Sequence, residues 1–389
     1  MPIEGRNEDA RAGRTARPLA RAHMPTGFDI SLHAYTQGRS VRVPSELGPR
    51  RSMRGFDGYA NIVDYIVRIT HRIWEGEPRP DGSSGRDVDY IGDTYAPDSR
   101  VFDDYGLQHG NAKIITDTHG TTGAFPDIVL DAEEVIWAGD DAIGYHTSHL
   151  VRLVGTHTGG GRYGEPTGRR FDVPVIANCV ALENDIFLEH VLYNSSAMLA
   201  QLGRDPMEEA EKLVADPPAG WPRSPETWDA LRREGGPERP LREAEPVGGF
   251  DPDAFARDLH AQAFAGEETA LRAYAPDFSF EGTTNRAHQG RDAHAAYHAS
   301  LRECFPDLAP RVDETYWMGN EDEGWLIATR WSAEATHRGG SLYGTPTGAR
   351  VQIWGITQQR VESGSVVSEC QLFNELDVMM QIAAARRSA

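Results

Sequence analysis

The chain has 389 residues and a formal net charge of −20, with 39 Lys and Arg against 59 Asp and Glu. This acidic balance argues against nucleic-acid partners, because phosphate backbones are held by surplus Lys and Arg. No apolar run approaches the roughly 20 residues of a membrane-spanning helix, so no membrane partner is expected. The three cysteines lie far apart and the N-terminus has no apolar signal core, which predicts a cytoplasmic protein without disulfides.

The first part of the chain predicts a basic arm followed by a compact domain. Residues 1–55 carry ten Arg against five acidic residues and little periodicity, which predicts a weakly ordered N-terminal arm. From Tyr59 onwards, apolar residues recur three or four apart and predict a helix, and further short helices are expected near 87–95 and 111–118. Strands are predicted over 100–104, 129–138, 142–154, 169–182 and 186–193. This order predicts an α+β domain over residues 56–203.

A second domain of the same type is predicted after a linker. Residues 204–249 contain eight prolines and many charges, which predicts a linker with one helix at most, near 208–214. The same order of elements then returns over residues 250–389, starting with a capped helix at Asp251.

The two domains share a motif at a constant spacing of 180 residues. Residues 156–168, which contain Thr-His-x-Gly and Gly-x-Pro-Thr-Gly, return as residues 336–348. The same spacing relates Phe125-Pro126-Asp127 to Phe305-Pro306-Asp307, Trp137 to Trp317, Glu189 to Glu369 and Asn194 to Asn374. So many matches in order indicate two copies of one domain.

Each copy resembles the SnoaL-like polyketide cyclase or ester cyclase family, a branch of the nuclear transport factor 2-like superfamily. The Phe-Pro-Asp tripeptide, the two motifs of the hairpin and the closing Glu and Gln residues carry this resemblance. It implies two tandem cone-shaped α+β rolls, each a curved antiparallel sheet over about three helices with a pocket between them. It also implies cofactor-free chemistry and sheet-to-sheet pairing, and hence an intramolecular pseudo-dimer that can assemble further into a homo-oligomer.

The chain departs from this family at one position of the last strand in each copy. Similar cyclases place an acid/base Asp there, whereas this chain has Asn194 and Asn374. Because an amide cannot accept a proton at neutral pH, Asn194 is expected to orient a substrate. The catalytic base must then come from elsewhere in the cone.

The strand over 142–154 supplies the first candidates. Alternation places Tyr145 and His149 on its apolar face and His146 on the other. His149 is expected to be either a neutral general base or a core histidine, with Tyr145 as a possible acid. His146 and Trp137 are candidates for substrate contact. Because His146 and His149 face opposite ways, no metal site is predicted.

The remaining candidates lie on other strands of the first copy. His190 shares the face of Asn194 if that asparagine takes the pocket position, so it is either a catalytic or a structural residue. Asp103 and Asp104 follow the first strand at the expected mouth of the cone, where one is either an acid/base group or a solvated carboxylate. Asn178 is either an oxyanion donor or a structural amide.

The second copy is predicted to support the first. It has Leu326, Thr329 and Cys370 at the positions of His146, His149 and His190, and its strand residues suit packing or an apolar ligand. The sequence therefore predicts a cofactor-independent lyase, isomerase or cyclase acting on a small apolar or aromatic metabolite in the first cone. The alternatives are a non-catalytic binding protein that uses the same pocket and a scaffold whose cone is filled.

Overall fold

The computed structural model describes eight segments of the chain: residues 62–76, 85–140, 144–161, 163–182, 185–233, 250–266, 268–320 and 324–388. The predicted arm over residues 1–55 lies outside these segments, as does the part of the predicted linker over residues 234–249.

The first unit, residues 62–201, begins with helices and continues as a sheet. Helix α1 (Ile62–Trp74), a helical turn at Val88–Tyr90 and helix α2 (Ile91–Thr94) precede the strands. The following elements are β1 (Tyr95–Phe102), β2 (Leu107–His109), α3 (Asn111–Ala124), β3 (Val129–Asp140), β4 (Gly144–Thr156), β5 (Arg170–Leu182), β6 (Asp185–Leu192) and α4 (Ser195–Gln201). Helix α1 forms because its isoleucines recur every three or four residues, and that apolar face is buried against the sheet.

The second unit, residues 252–388, repeats this order. Its elements are α7 (Pro252–Ala265), α8 (Glu268–Leu271), β7 (Tyr274–Gly282), β8 (Ala287–Gln289), α9 (Arg291–Cys304), β9 (Arg311–Asn320), β10 (Gly324–Thr336), β11 (Arg350–Glu362), β12 (Ser365–Phe373) and α10 (Glu375–Ser388). Asp251 caps α7 by accepting from the backbone N–H groups of Asp253 and Ala254, as the sequence predicts.

Each unit contains one six-stranded sheet, and the two sheets have the same topology. Their strand orders are β2-β1-β6-β5-β4-β3 and β8-β7-β12-β11-β10-β9. The predicted α+β class with two tandem rolls is confirmed. The sheets are mixed rather than wholly antiparallel, because β1 runs parallel to β6 and β7 runs parallel to β12. The interior between each sheet and its helices is called here the first cone and the second cone.

The repeated hairpin motif has a structural role. Asp127 accepts hydrogen bonds from the backbone N–H and the hydroxyl of Thr156, both at 2.7 Å, and Asp307 holds Thr336 in the same way. Each carboxylate thereby joins the turn after the third helix to the end of the fourth strand, which explains why the Phe-Pro-Asp tripeptide recurs with the hairpin.

The predicted linker contains two helices instead of one. Helix α5 (Pro206–Ala215) is capped by Asp205 and has proline at its first position, and helix α6 (Pro225–Arg233) follows. Proline suits the first turn of a helix, where its missing N–H costs no hydrogen bond. Two of the eight prolines in the predicted linker, Pro206 and Pro225, therefore start helices. The buried side chains of Trp228 and Leu231 hold α6 against the sheets.

The two sheets contact each other through their outer faces. One shared apolar cluster combines Ile176, Val180, Leu188 and Leu192 of the first sheet with Trp354, Ile356, Cys370 and Leu372 of the second. A smaller cluster joins Ile136 and Ala138 to Tyr316, Met318, Leu326 and Ala328. Each sheet is therefore buried on both faces, by its own helices and by the other unit.

Candidate functional site

The first cone contains two adjoining small cavities of about 50 Å³ each. Residues that line both are Ile73, Trp74, Tyr95, Glu189 and Tyr193. Ligand pockets usually exceed about 300 Å³, so these cavities hold only a very small molecule without rearrangement. The wall shared by both, in which Trp74 contacts Tyr193, must shift to admit anything larger.

His149 lines one of these cavities, as the strand alternation predicts. Its side chain is buried, and its Nε2 atom has no hydrogen-bond partner among the described residues. Burial lowers the pKa of His149 to about 3, because the charged imidazolium loses its hydration. The imidazole is therefore neutral at physiological pH.

Glu189 is the second titratable group of the first cone. Its carboxylate accepts a hydrogen bond of 2.8 Å from the Tyr95 hydroxyl, and it lines both cavities together with this tyrosine. Burial raises the pKa of Glu189 to about 7, although the hydrogen bond from Tyr95 opposes the rise. A carboxyl group with this pKa exchanges protons readily at neutral pH.

His146 and His190 lie on the other face of the first sheet, between the two units. The Nδ1 atom of His146 lies 2.6 Å from Oε1 of Glu314. The Nε2 atom of His190 donates to the carbonyl oxygen of Leu231 at 3.0 Å. The His146 imidazole therefore connects the two units, whereas that of His190 connects the first sheet to helix α6, and neither lines the cavities of the first cone.

The expectation that His190 faces the cone rested on Asn194, which was assumed to continue the same strand. Strand β6 ends at Leu192, and Asn194 adopts a left-handed conformation with φ 52° and ψ 46° at the start of α4. Its side chain bonds to the second unit, donating to the carbonyl of Gly282 and accepting from the N–H of Thr284. Because the strand alternation stops before Asn194, its position gives no information about the face of His190.

Asp103 and Asp104 occupy the turn that follows β1. Asp103 accepts from the backbone N–H groups of Tyr105 and Gly106 and from the side-chain amide of Gln108, so it stabilises the turn. Asp104 accepts a hydrogen bond from the Ser195 hydroxyl, and burial raises its pKa to about 7. Neither is among the described residues that line the first cone's cavities.

The other three predicted residues also lie outside the two cavities. Tyr145 is buried in the apolar core of the first unit. Trp137 is half-buried between that core and the smaller inter-sheet cluster. Asn178 follows Ala177, which lines a cavity, so alternation turns its side chain towards the second sheet. The structure thus brings His149 together with Glu189 and Tyr95, and it separates His149 from the remaining candidates.

The second cone is rich in imidazoles, in contrast to the expectation from its strands. The strand positions matched to the first copy do lack histidine, but helices α7 and α9 contribute buried His260, His294 and His298. The sequence carried a signal for two of them, because His294 and His298 are four residues apart and so share one face of a helix.

The sheet of the second cone adds a polar network around Thr357. The Thr357 hydroxyl lies 3.2 Å from His260 Nε2 and accepts from Trp331 Nε1 at 3.1 Å. Since His260 Nδ1 donates to the Ala256 carbonyl at 2.8 Å, its Nε2 is the acceptor and Thr357 is the donor. At the matched position of the first sheet stands Ala177, so the two cones differ chemically.

Two features are absent from the described segments. No group of three or more His, Cys, Asp or Glu side chains in these segments is arranged to hold a metal ion. No helix within them has the length and hydropathy of a membrane span.

The sequence model of the SnoaL-like polyketide cyclase family matches residues 257–382. A search of curated proteins gave no match.

Several solved structures are similar to about a third of this chain. A protein from Jannaschia sp. CCS1 assigned as a SnoaL-like polyketide cyclase is 19% identical over 36% of this chain and 99% of its own, with a TM-score of 0.32. IdmH from Streptomyces antibioticus, assigned as a polyketide cyclase, is 20% identical over 34% and 99%, with a TM-score of 0.30. AclR from Streptomyces galilaeus, assigned as a hydroxylase, is 21% identical over 34% and 85%, with a TM-score of 0.29. The second unit thus matches the SnoaL-like polyketide cyclase family over most of its length, and the first unit repeats its strand order.

Proposed function

We propose that the protein is a cofactor-independent acid/base enzyme that acts on a small, mostly apolar carbonyl compound in the first cone. The observation that carries this proposal is the presence of neutral His149 and of Glu189, whose pKa is about 7, in the lining of one buried cavity. Perturbed acid/base groups that meet in a buried cavity are characteristic of catalytic sites.

The two side chains suit different roles. Glu189 transfers the proton, because its pKa lies near physiological pH. His149, as a neutral imidazole protonated on Nε2, donates a hydrogen bond to the substrate oxygen and stabilises the negative charge that develops there. This assignment reverses the role expected from the sequence, in which His149 was the base. Tyr95 orients Glu189 through its hydroxyl.

The chemistry supported is removal of a proton from carbon next to a carbonyl group and its return at the same or another atom. Such a step underlies isomerases, lyases and cyclases alike. The remaining lining of the cavity is largely aliphatic, with Val151, Val175 and Val191 among its residues, which favours an apolar substrate and excludes water from the intermediate.

The test is deuterium exchange by NMR. The protein in D₂O is mixed with a panel of small aliphatic and aromatic ketones, and the loss of the proton signal next to the carbonyl group is followed over time. We expect Glu189→Gln to lower the exchange rate by about 100-fold or more, because an amide cannot shuttle a proton. Glu165→Gln, at an exposed glutamate of the same unit, serves as the control and should exchange like the unmodified protein.

Two outcomes would contradict the proposal. Exchange that persists in Glu189→Gln would remove this residue from the chemistry. Ketone binding without exchange, unchanged in Glu189→Gln and in His149→Phe, would instead favour a non-catalytic binding protein.

A further inference from the structure

The second cone contains buried polar atoms that lack partners. Five such atoms have no hydrogen bond within the described segments: the Tyr297 hydroxyl, His298 Nδ1, and Oε1 of Gln359, Glu369 and Gln371. Each of these side chains is at least nine-tenths buried. Buried polar atoms are almost always paired in native proteins, so this interior is built to receive a polar partner.

Three histidines form a continuous chain that leads out of this interior. His298 Nε2 lies 3.2 Å from His294 Nε2, and His294 Nδ1 lies 3.1 Å from His288 Nε2. Helix α9 sets the first contact, because its residues 294 and 298 are one turn apart. Strand β8 sets the second by holding His288 stacked on Phe280. At the matched positions the first unit has Gln108, Ile114 and Thr118. The row of three histidines is therefore confined to the second unit.

Both contacts lie between neutral rings, which fixes how protons are shared. Burial lowers the pKa of His288, His294 and His298, so each ring carries a single N–H at neutral pH. Each contact then requires one N–H donor and one bare nitrogen. Two arrangements satisfy both contacts, one with every bond donated towards His288 and one with every bond donated towards His298.

The outer end of the histidine chain lies at an open groove between the two units. His288 is half-buried and lines this groove, which has a volume of about 580 Å³. The first unit contributes Glu134 and Arg152 to the same lining, and the second also contributes Gln358 and Arg360. The inner end of the histidine chain is the Nδ1 atom of His298, which has no partner among the described residues. The three histidines therefore link the second cone to this open groove.

We propose that the second unit is a separate proton-transfer site, in which His298 takes a proton from a hydroxyl-bearing small molecule and His294 and His288 relay a proton to the groove. The substrate O–H or C–H bond breaks and its proton binds His298 Nδ1. The Nε2 proton of His298 moves to His294 Nε2, the Nδ1 proton of His294 moves to His288 Nε2, and the Nδ1 proton of His288 leaves to water. Return of a proton along the same path resets all three rings, so a proton-neutral reaction such as an isomerisation balances.

The substrate class follows from the five buried polar atoms that lack a hydrogen-bond partner. Three of the five are amide or carboxyl oxygens that accept hydrogen bonds, namely those of Gln359, Glu369 and Gln371. A ligand that satisfies them must donate hydrogen bonds, which hydroxyl groups do. Phe264 packs edge-on against His298 and also contacts Trp331, so the surroundings of His298 are aromatic and suit a ligand with a ring. The first cone keeps the glutamate as Glu189 but has Cys179 and Val191 at the positions of Gln359 and Gln371, so it offers fewer hydrogen-bond acceptors.

The relay is tested by the solvent exchange of a single ring proton. The full-length chain is labelled with ¹⁵N-histidine, and the exchange rate of the His298 N–H with water is measured by NMR. His288→Phe keeps an aromatic ring on Phe280 but removes both nitrogens, and His294→Leu breaks the chain in the middle. We expect each to slow the exchange by about tenfold or more. His119→Phe, at an exposed ring of the first unit, is the matched control and should exchange normally.

An unchanged His298 exchange rate in a folded His288→Phe or His294→Leu protein would overturn the relay. The substrate class is tested with resorcinol, and toluene is the control without donors. Resorcinol should shift the His298 Nδ1 resonance and toluene should not; an equal response to both, or none, would refute the class. His149→Phe separates the two sites, because it should affect ketone exchange in the first cone and leave the His298 exchange unchanged.

Discussion

The buried carboxyl of Glu189 makes a prediction about stability that is independent of any substrate. Burial raises its pKa from the ordinary 4.5 to about 7, so between these values the folded protein binds a proton that the unfolded chain has released. Stability therefore falls as the pH rises through this window. At about 1.4 kcal/mol for each pH unit, ionising Glu189 in the folded state costs about 3 kcal/mol above pH 7 and almost nothing below pH 4.5.

Replacement by glutamine isolates this effect. Glu189→Gln retains an oxygen that can accept the hydrogen bond from Tyr95 but has no proton to lose. We therefore expect the variant to gain stability relative to the unmodified protein by about 2.5 kcal/mol between about pH 5 and pH 8. Glu369→Gln should behave similarly, because burial also raises the pKa of Glu369 to about 7 and its carboxylate likewise bonds a tyrosine, Tyr274.

Urea denaturation followed by far-ultraviolet circular dichroism measures this difference at both pH values. The exposed variant Glu165→Gln again provides the control, since removal of a solvated carboxylate should give a nearly constant difference. If the stability difference between Glu189→Gln and the unmodified protein does not change with pH, the carboxyl is ionised normally, and its proposed part in proton transfer loses its basis.

Three further predictions concern packing and hydrogen bonding. A methyl group on Gly355 would lie 2.3 Å from Trp331 Cζ2 and 2.7 Å from the carbonyl oxygen of Leu372, so Gly355→Val should cost about 3 kcal/mol. In a double-mutant cycle by urea denaturation, Trp331→Val should recover the part of this cost that is due to the ring, and fully additive costs would refute the clash with Trp331. Arg223→Met should lower the unfolding free energy by about 3–5 kcal/mol, because it leaves the buried Asp377 carboxylate without its ion pair. A loss below about 1 kcal/mol in the same assay would show that Asp377 is not held as a charge. Asp127→Ala should cost about 1–3 kcal/mol by removing both bonds to the hairpin, and an unchanged melting temperature would show that the hairpin holds itself.

The fold followed from local sequence patterns that the tertiary structure preserves. Alternation on β4 correctly turned His149 towards the interior and His146 away from it, because side chains of a strand must alternate. The hairpin motif recurred because Asp127 and Asp307 bond the same threonine in each copy. These patterns act within one element or between neighbouring elements, so a single sequence contains them.

The candidate site was harder to predict because it depends on where elements end and which ones meet. His190 was placed with Asn194 on the assumption of a continuous strand, but β6 ends at Leu192. The hydrogen bond between Tyr95 and Glu189 joins residues that are 94 positions apart. It arises from the parallel pairing of β1 with β6, which no local pattern indicates. His298 was not predicted because the comparison of the two copies used strand positions, and His298 lies on helix α9.

Burial of both sheets against each other has an evolutionary consequence. When two identical subunits pair through such a face, one gene encodes both pockets, and every substitution in one pocket also appears in the other. In the tandem chain each copy changes independently while the shared face persists. Ala177 and Thr357 occupy matched positions and show the result: a methyl group in one cone and a hydrogen-bonded hydroxyl in the other, within a single polypeptide. The apposed faces thus preserve a common architecture while allowing the two interiors to diverge.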